Sequence, residues 1–373
     1  MVNKQILIDL THITIDNIYG SISIYSLRFL DSIPVEYIKY YTLLIGENIE
    51  DYFNQTYPSF KKKVWKTNKF ILQIPILRRF FVKSTYSQLV EYGEHDIVFI
   101  PSDNVWYTKY PIRRKKKVVV VHDQKGLISR SKIYKRQSYE FFHPYLMNAD
   151  KIIAISKFTK NEILKLHNDI SENKIFVAYN SVIVADKSER PRGLPIGQLY
   201  ILYVNTLLKY KNPLTLIKAF NKVKDRIPNY KLVLVGKETD YWQEEIVPVI
   251  KQFGIEERIL HLQNLKNEEL KYCYEKASIF VTTSLCEGFG YTPIEAAICG
   301  CPIISSKCQA LPETTQGKAY YYEPFDNWNG LGELIVSRII EANHCKSVSD
   351  SNFFRNFYSL ENQFNEINKI INC

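Results

Sequence analysis

No window of this 373-residue chain approaches the run of about eighteen uninterrupted apolar residues that a membrane-spanning helix needs, so no transmembrane segment is expected. The N-terminal MVNKQILIDLTHI meets Asp9 and His12 too early for a secretory apolar core, and the expectation is a chain neither exported nor integral to a membrane. Cysteine is missing from the whole of the chain before Cys273. The seven present are Cys273, Cys286, Cys299, Cys301, Cys308, Cys345 and Cys373, an odd number without a paired metal-ligand spacing. Reduced thiols in a cytosolic protein are expected, not a disulfide framework or a zinc centre. There is no long internal repeat and no low-complexity tract. With 46% hydrophobic and 24% charged residues, neither disorder nor a fibrous repeat fits.

Acidic residues are scarce in one half only. Residues 1–185 hold 27 Lys and Arg against 17 Asp and Glu, which leaves 22 against 22 in residues 186–373 and places the whole formal charge of +10 in the first half. The length exceeds what one hydrophobic core usually organises, so two domains are expected.

The hydrophobic pattern agrees with that division. QILIDLTHI is an apolar strand followed by a turn and a helix-like run from Ser23 to Leu30; DIVFIPS (96–102), KVVVVHD (117–123) and KIIAISK (151–157) are β-branched runs ending in polar residues. Continuous apolar strands of this kind belong in parallel sheets covered on both faces. DKSERPRGLPIG (186–197) reads as a linker. Strand and helix then alternate again: LYILYVN (199–205), PLTLIKAFNKVKDR (213–226), KLVLVGK (231–237), RILHLQN (258–264), NEELKYCYEKA (267–277), SIFVTTS (278–284), PIEAAICG (293–300) and PIISSK (302–307). The pattern predicts a domain over 1–185, a second over 198–350 and one terminal helix over 351–373. Two open parallel α/β sheets further predict a ligand at the carboxyl ends of their strands, in a cleft between the domains.

The segment CEGFGYTPIEAAICGCP (286–302) follows one of those strands and sets Glu287 and Glu295 on either side of Gly288 and Gly290. Thr292 and Glu295 have the spacing of a capping box, with Pro293 suited to the first helical position. Capping accounts for Glu295 about as well as ligand binding does, but leaves Glu287 unexplained. A glycine loop lets backbone amides approach a bound group, and the helix N-terminus behind it favours phosphate. A phosphorylated sugar suits such a loop.

The run SLCEGFGYTPIEAAICGCPIISSKCQALPE (284–313) resembles the two-glutamate motif of retaining glycosyltransferases with the GT-B fold, most closely the family-4 group of bacterial polysaccharide and lipopolysaccharide transferases. The resemblance extends over most of the chain. It implies two Rossmann-like doubly wound domains facing a cleft, the first on the acceptor side and the second binding the nucleotide sugar. By it, Glu295 holds the ribose hydroxyls, Glu287 contacts the donor sugar, and Gly288, Phe289, Gly290, Tyr291 and Thr292 line sugar and diphosphate. Lys211, in ILYVNTLLKYKNPLTLIKAF, matches the basic residue at the diphosphate. Asn205 stands where relatives have glycine, and Thr206 and Tyr210 where many carry arginine; Lys209 is a nearby substitute. Leu265 matches the residue against the base. In the first half Gly20 matches the glycine loop near the phosphates, with Ser21 in place of a second glycine, and His122 the histidine beside the transferred sugar. Ser156, a plausible helix N-cap, and Asn180 match scaffold or rim positions.

The resemblance implies transfer of a hexose from a UDP- or GDP-linked donor with retention of configuration. Neither a metal nor another cofactor is expected, because the lysine and helix N-terminus take the metal's place at the phosphates. The basic segments KKKVWKTNKFILQIPILRRFFVK (61–83) and IRRKKK (112–117) suit an anionic membrane face or a lipid-linked glycan, and equally a solvated basic surface. No nucleic-acid module accompanies the charge. Another activity on the same fold, such as sugar-nucleotide epimerisation, and a non-catalytic partner subunit are the alternatives.

Overall fold

A computed structural model describes residues 4–66, 74–103, 105–124, 132–341 and 348–373. Cys345 and the stretch 67–73 of the basic segment lie outside the described residues. The chain forms two compact units, Met1–Ser181 together with Leu360–Cys373, and Val182–Ser359.

The first unit holds β1 (Ile6–Asp9), β2 (Tyr41–Gly46), β3 (Lys61–Trp65), β4 (Ile97–Ile100), β5 (Lys116–Val121), β6 (Lys151–Ala154) and β7 (Ile175–Val177) in one parallel sheet of order β3-β2-β1-β4-β5-β6-β7. The order reverses between β1 and β4, as in doubly wound folds. Leu7, Val98, Val119 and Ile152, buried on adjacent strands, anchor one face of its core.

The second unit holds β8 (Leu199–Val204), β9 (Tyr230–Val235), β10 (Ile259–Leu262), β11 (Ile279–Thr282), β12 (Ile303–Ser306) and β13 (Tyr320–Tyr322), also all parallel, in the order β10-β9-β8-β11-β12-β13. Its reversal lies between β8 and β11, whose carboxyl ends lead into the lysine and glutamate segments. The helix Pro213–Val223 opens with proline at its start, where the missing amide hydrogen costs nothing, and buries Leu216, Ile217 and Phe220.

The division differs from the sequence reading in two places. Segment 186–197 is not a free linker: the Glu189 amide donates to the Glu268 carbonyl at 3.0 Å, Lys271 Nζ donates to the Asp186 carbonyl at 2.6 Å, and Leu194 is buried. It lies on the second unit, because Pro191 and Leu194 are buried there among charged residues that conceal them in the sequence. The expected terminal helix over 351–373 is two helices, Val348–Phe357 and Leu360–Asn372, interrupted at Tyr358 and Ser359. The second of these belongs to the first unit, where Phe364, Ile367 and Ile371 are buried and Gln363 Oε1 accepts from Ser181 Oγ at 2.6 Å.

Candidate active site

Within the second unit the two loops at the β8/β11 reversal meet. The loop after β8 passes Asn205 and Thr206, forms a short turn at Lys209–Lys211, and reaches Asn212 in the left-handed conformation at φ 54. Three hydrogen bonds hold this turn by its backbone. Thr283 Oγ1 donates to the carbonyls of Lys211 (3.1 Å) and Asn212 (2.8 Å), and Tyr203 Oη donates to the Lys211 carbonyl at 3.1 Å. The Leu285 amide adds a bond to the Tyr210 carbonyl at 2.8 Å.

So held, Lys211 places Nζ 2.6 Å from Glu287 Oε1, with the two side chains only 12% and 10% exposed. Ser284 Oγ donates to the same carboxylate oxygen at 2.8 Å, and the Glu287 amide donates to Gln309 Oε1 at 2.8 Å. The Tyr210 ring lies 5.1 Å from the ammonium. A lysine and a glutamate held together with little water form a charge pair that an anionic, hydroxylated ligand can divide between its phosphate and its sugar.

Behind Glu287 the chain runs through buried Gly288 and Phe289 to Gly290, whose φ of 85 and ψ of 78 only glycine adopts easily. A Cβ at Gly290 would lie 2.5 Å from Leu311 Cδ2. Phe289 packs edge-on to Tyr291 at 5.1 Å and to Tyr358 at 5.7 Å, and its carbonyl accepts from Thr314 Oγ1 at 2.7 Å. The helix Tyr291–Ile298 then begins with Gly290 as its cap.

The capping box expected of Thr292 and Glu295 does not form. Gly290 turns the chain into the helix before Thr292 can take the extended backbone of a cap, so Thr292 is already helical and Pro293 is the third helical residue. Glu295 instead accepts from Tyr274 Oη at 2.9 Å. Leu265 is half-buried in the loop between β10 and the helix Asn267–Lys276, just after Asn264 at φ 54.

The remaining expected residues lie in the first unit. Gly20 caps the helix Ser21–Ser32 at an ordinary φ of −71, and a Cβ there would approach the Asn17 carbonyl oxygen to 3.0 Å. His122 is buried at the end of β5, where its Nε2 meets the Pro101 carbonyl at 2.8 Å and its amide donates to Asp103 Oδ2 at 2.7 Å. A carbonyl only accepts, so Nε2 carries the hydrogen. Burial pushes the Asp103 carboxyl up to about 6. His12 lies close by, with Nε2 3.1 Å from Ser26 Oγ; burial and then His122 hold it down to about 3. Ser156 is the helix cap expected of it, accepting from the Thr159 amide at 3.0 Å. Asn180 is fully buried, and neither end of its amide finds a hydrogen-bond partner within the described chain.

Ser284, Gln309, Tyr274, Tyr203 and Thr283 escaped the sequence reading. Ser284 and Thr283 carried a signal, being polar residues at the carboxyl end of β11. Gln309 and Tyr274 reach the glutamates from other elements, which no spacing along the chain reveals.

Lys117 corrects one further expectation. It was grouped with the basic surface, yet it is fully buried, donating to the Thr108 and Tyr110 carbonyls, and burial holds its ammonium down to about 7. It is the second residue of β5, where the strand turns from exposed to buried, so it serves packing. Lys61, Arg113, Arg114 and Lys116 are exposed. Among the described residues no helix is long and apolar enough to cross a membrane.

Residues 184–350 match the family model described as glycosyl transferases group 1. Among curated proteins, the chain is 28% identical over 197 residues to O-antigen chain mannosyltransferase B of Escherichia coli, covering 49% of this chain and 50% of that one. It is 27% identical over 239 residues to O-antigen chain mannosyltransferase RfbU of Salmonella typhimurium, covering 64% of each. The chain thus spans between half and just under two thirds of the length of these relatives. Among solved structures, Anabaena HepE in complex with UDP and glucose superposes with a TM-score of 0.73 at 15% identity, and the lipopolysaccharide outer core galactosyltransferase WaaB in its apo form with 0.69 at 18%, each covering 99% of both chains. Such identities speak for the fold alone, which is GT-B, with two doubly wound parallel-sheet units. Residues 184–350, which carry the two-glutamate motif, are thus the part of the chain that is similar to the glycosyl transferases group 1.

Proposed function

We propose that the protein is a retaining glycosyltransferase that moves a hexose from a nucleoside-diphosphate sugar to a hydroxyl of a glycan or lipid-linked glycan in cell-surface polysaccharide synthesis. The observation that carries this reading is the nearly buried Lys211–Glu287 pair at the β8/β11 reversal, the position where doubly wound sheets bind nucleotides. Two relatives named as O-antigen mannosyltransferases support the pathway class and make mannose the first donor sugar to test.

In this reading the donor separates the pair. Lys211 Nζ moves to the diphosphate and stabilises the charge that develops as the sugar leaves, while the N-terminus of the helix Tyr291–Ile298 adds its amides. Glu287, kept in place by Ser284 and Gln309, takes the sugar hydroxyls freed to it, and Glu295 takes the ribose. The leaving phosphate oxygen accepts the proton of the attacking hydroxyl on the same face of the sugar, which keeps the anomeric configuration. His122, with Nε2 committed to a carbonyl, supports the first unit's loop and contributes orientation more than proton transfer. The protein works without a metal, at the inner face of the membrane, where Lys61, Arg113, Arg114 and Lys116 face an anionic surface.

The test is turnover of UDP-, GDP- and ADP-linked hexoses with a lipid-linked oligosaccharide acceptor. One donor should be consumed with the anomeric configuration kept, and Glu287→Gln should lower kcat by about a hundredfold or more. Absence of transfer with every donor, together with undiminished nucleotide binding by Glu287→Gln, would favour a binding subunit instead.

A further inference from the structure

Glu295 lies on the first turns of a helix whose N-cap is Gly290, a residue with no side chain to cap it. A bond from another element reaches its carboxylate. Tyr274, near the end of the helix Asn267–Lys276, is 1% exposed, packs 5.7 Å from the Phe280 ring on β11, and directs Oη at Glu295 Oε2 across 2.9 Å. Burial, and then the carboxylate itself, push the phenol far above its ordinary value, so it remains a donor at any working pH. The same helix opens immediately after Leu265, and its entry is pinned where the Lys266 amide donates to Glu269 Oε2 at 2.8 Å.

We propose that Tyr274 is a positioning residue for nucleotide recognition, fixing the Glu295 carboxylate against the ribose and tying it to the Leu265 loop beside the base. The inference rests on the reading that Glu295 holds the ribose. A carboxylate has about four acceptor sites, and the phenol takes one of them, so this bond does not itself compete with the two vicinal hydroxyls of a ribose. A glutamate has three rotatable bonds, and a bond from a rigid, buried phenol restricts that freedom before the ligand arrives. Pre-organisation of this kind raises affinity without a new ligand contact. Tyr274 itself touches no ligand in this account, and its effect must pass through Glu295.

The test is calorimetric titration of the full chain with GDP and UDP and with their 2′,3′-dideoxy counterparts, using wild type, Tyr274→Phe, Glu295→Ala and the double variant. Wild type should bind the ribonucleotide more tightly than the dideoxy form. Tyr274→Phe should weaken the ribonucleotide about tenfold and leave the dideoxy form within about twofold. In the Glu295→Ala background the tyrosine substitution should cost nothing further. Equal weakening of both nucleotides, or an undiminished cost in that background, makes Tyr274 a packing residue and overturns the inference. Unchanged ribonucleotide affinity overturns it as well. A wild type that treats the two forms alike removes the ribose from Glu295, and this inference with it; that failure is recognisable because it precedes any substitution.

Discussion

A lysine and a glutamate as enclosed as Lys211 and Glu287 stabilise each other only while both are present. Lys211→Met leaves a desolvated carboxylate and Glu287→Gln a desolvated ammonium, so each single variant should lower stability by about 3 kcal/mol. The double variant should recover much of that loss in denaturant titration while remaining inactive. Full additivity of the two costs would show that the pair is not coupled. A second residue-scale effect concerns acid. His167 is buried against the stacked Tyr139 ring at 5.2 Å; its Nδ1 lies 3.3 Å from His143 Nδ1 and its Nε2 3.2 Å from Gln124 Nε2. Burial, and then His143, hold it down to about 4, below the ordinary 6.5. The unfolded chain therefore takes the proton first as pH falls, and the stability His167 contributes is present above about 6.5 and lost towards 4. His167→Gln should flatten the first unit's loss of stability between pH 6.5 and 4, seen as a smaller fall in melting temperature than in wild type. An unchanged slope would contradict the assignment.

At the scale of elements, backbone contact limits substitution more than chemistry does. Gly236 follows β9 so closely against the end of β8 that a Cβ there would stand 1.9 Å from the Asn205 carbonyl oxygen. Gly236→Ala should force the two strand ends apart and cost several kcal/mol, about as much as the worst core substitutions, read as a fall in the second unit's unfolding midpoint. The sequence reading did not single this glycine out, although it found the strand beside it. The β-branched runs of β4, β5, β6, β8, β9, β11 and β12 were legible because a strand covered on both faces must be apolar throughout. By contrast β3 reads as basic sequence, since KKKVW lies at the edge of its sheet where lysines face water. β13 is three tyrosines long and has no pattern to detect. The candidate site divides in the same way. Loops at strand ends carry their chemistry in order along the chain, so Glu287 and Glu295 stood out, while Lys211 was singled out only through the family resemblance. The groups that orient them, Gln309 and Tyr274, arrive from elements whose proximity exists only after folding.

At the scale of the whole molecule, the chain leaves its first unit at Ser181 and returns to it at Leu360. The returning helix is amphipathic and buries Phe364, Ile367 and Ile371, with the Phe364 ring 5.4 Å from Tyr37 and Lys151 Nζ donating to the Ile370 carbonyl at 2.6 Å. A chain truncated after Ser359 should lower the melting transition of the first unit by about 10 °C or more and leave that of the second nearly unchanged, as resolved by calorimetry. Loss of the second unit's transition instead would assign the helix wrongly. The catalytic reading rests on the second unit, and on one ammonium within it. Its most direct test is calorimetric titration of UDP, GDP and ADP into wild type and Lys211→Met, with folding of both checked beforehand. The account predicts that one of these diphosphates binds wild type and that the substitution weakens it by about a hundredfold. Binding that survives the loss of Lys211 unchanged, or no binding of any of the three to wild type, would contradict it.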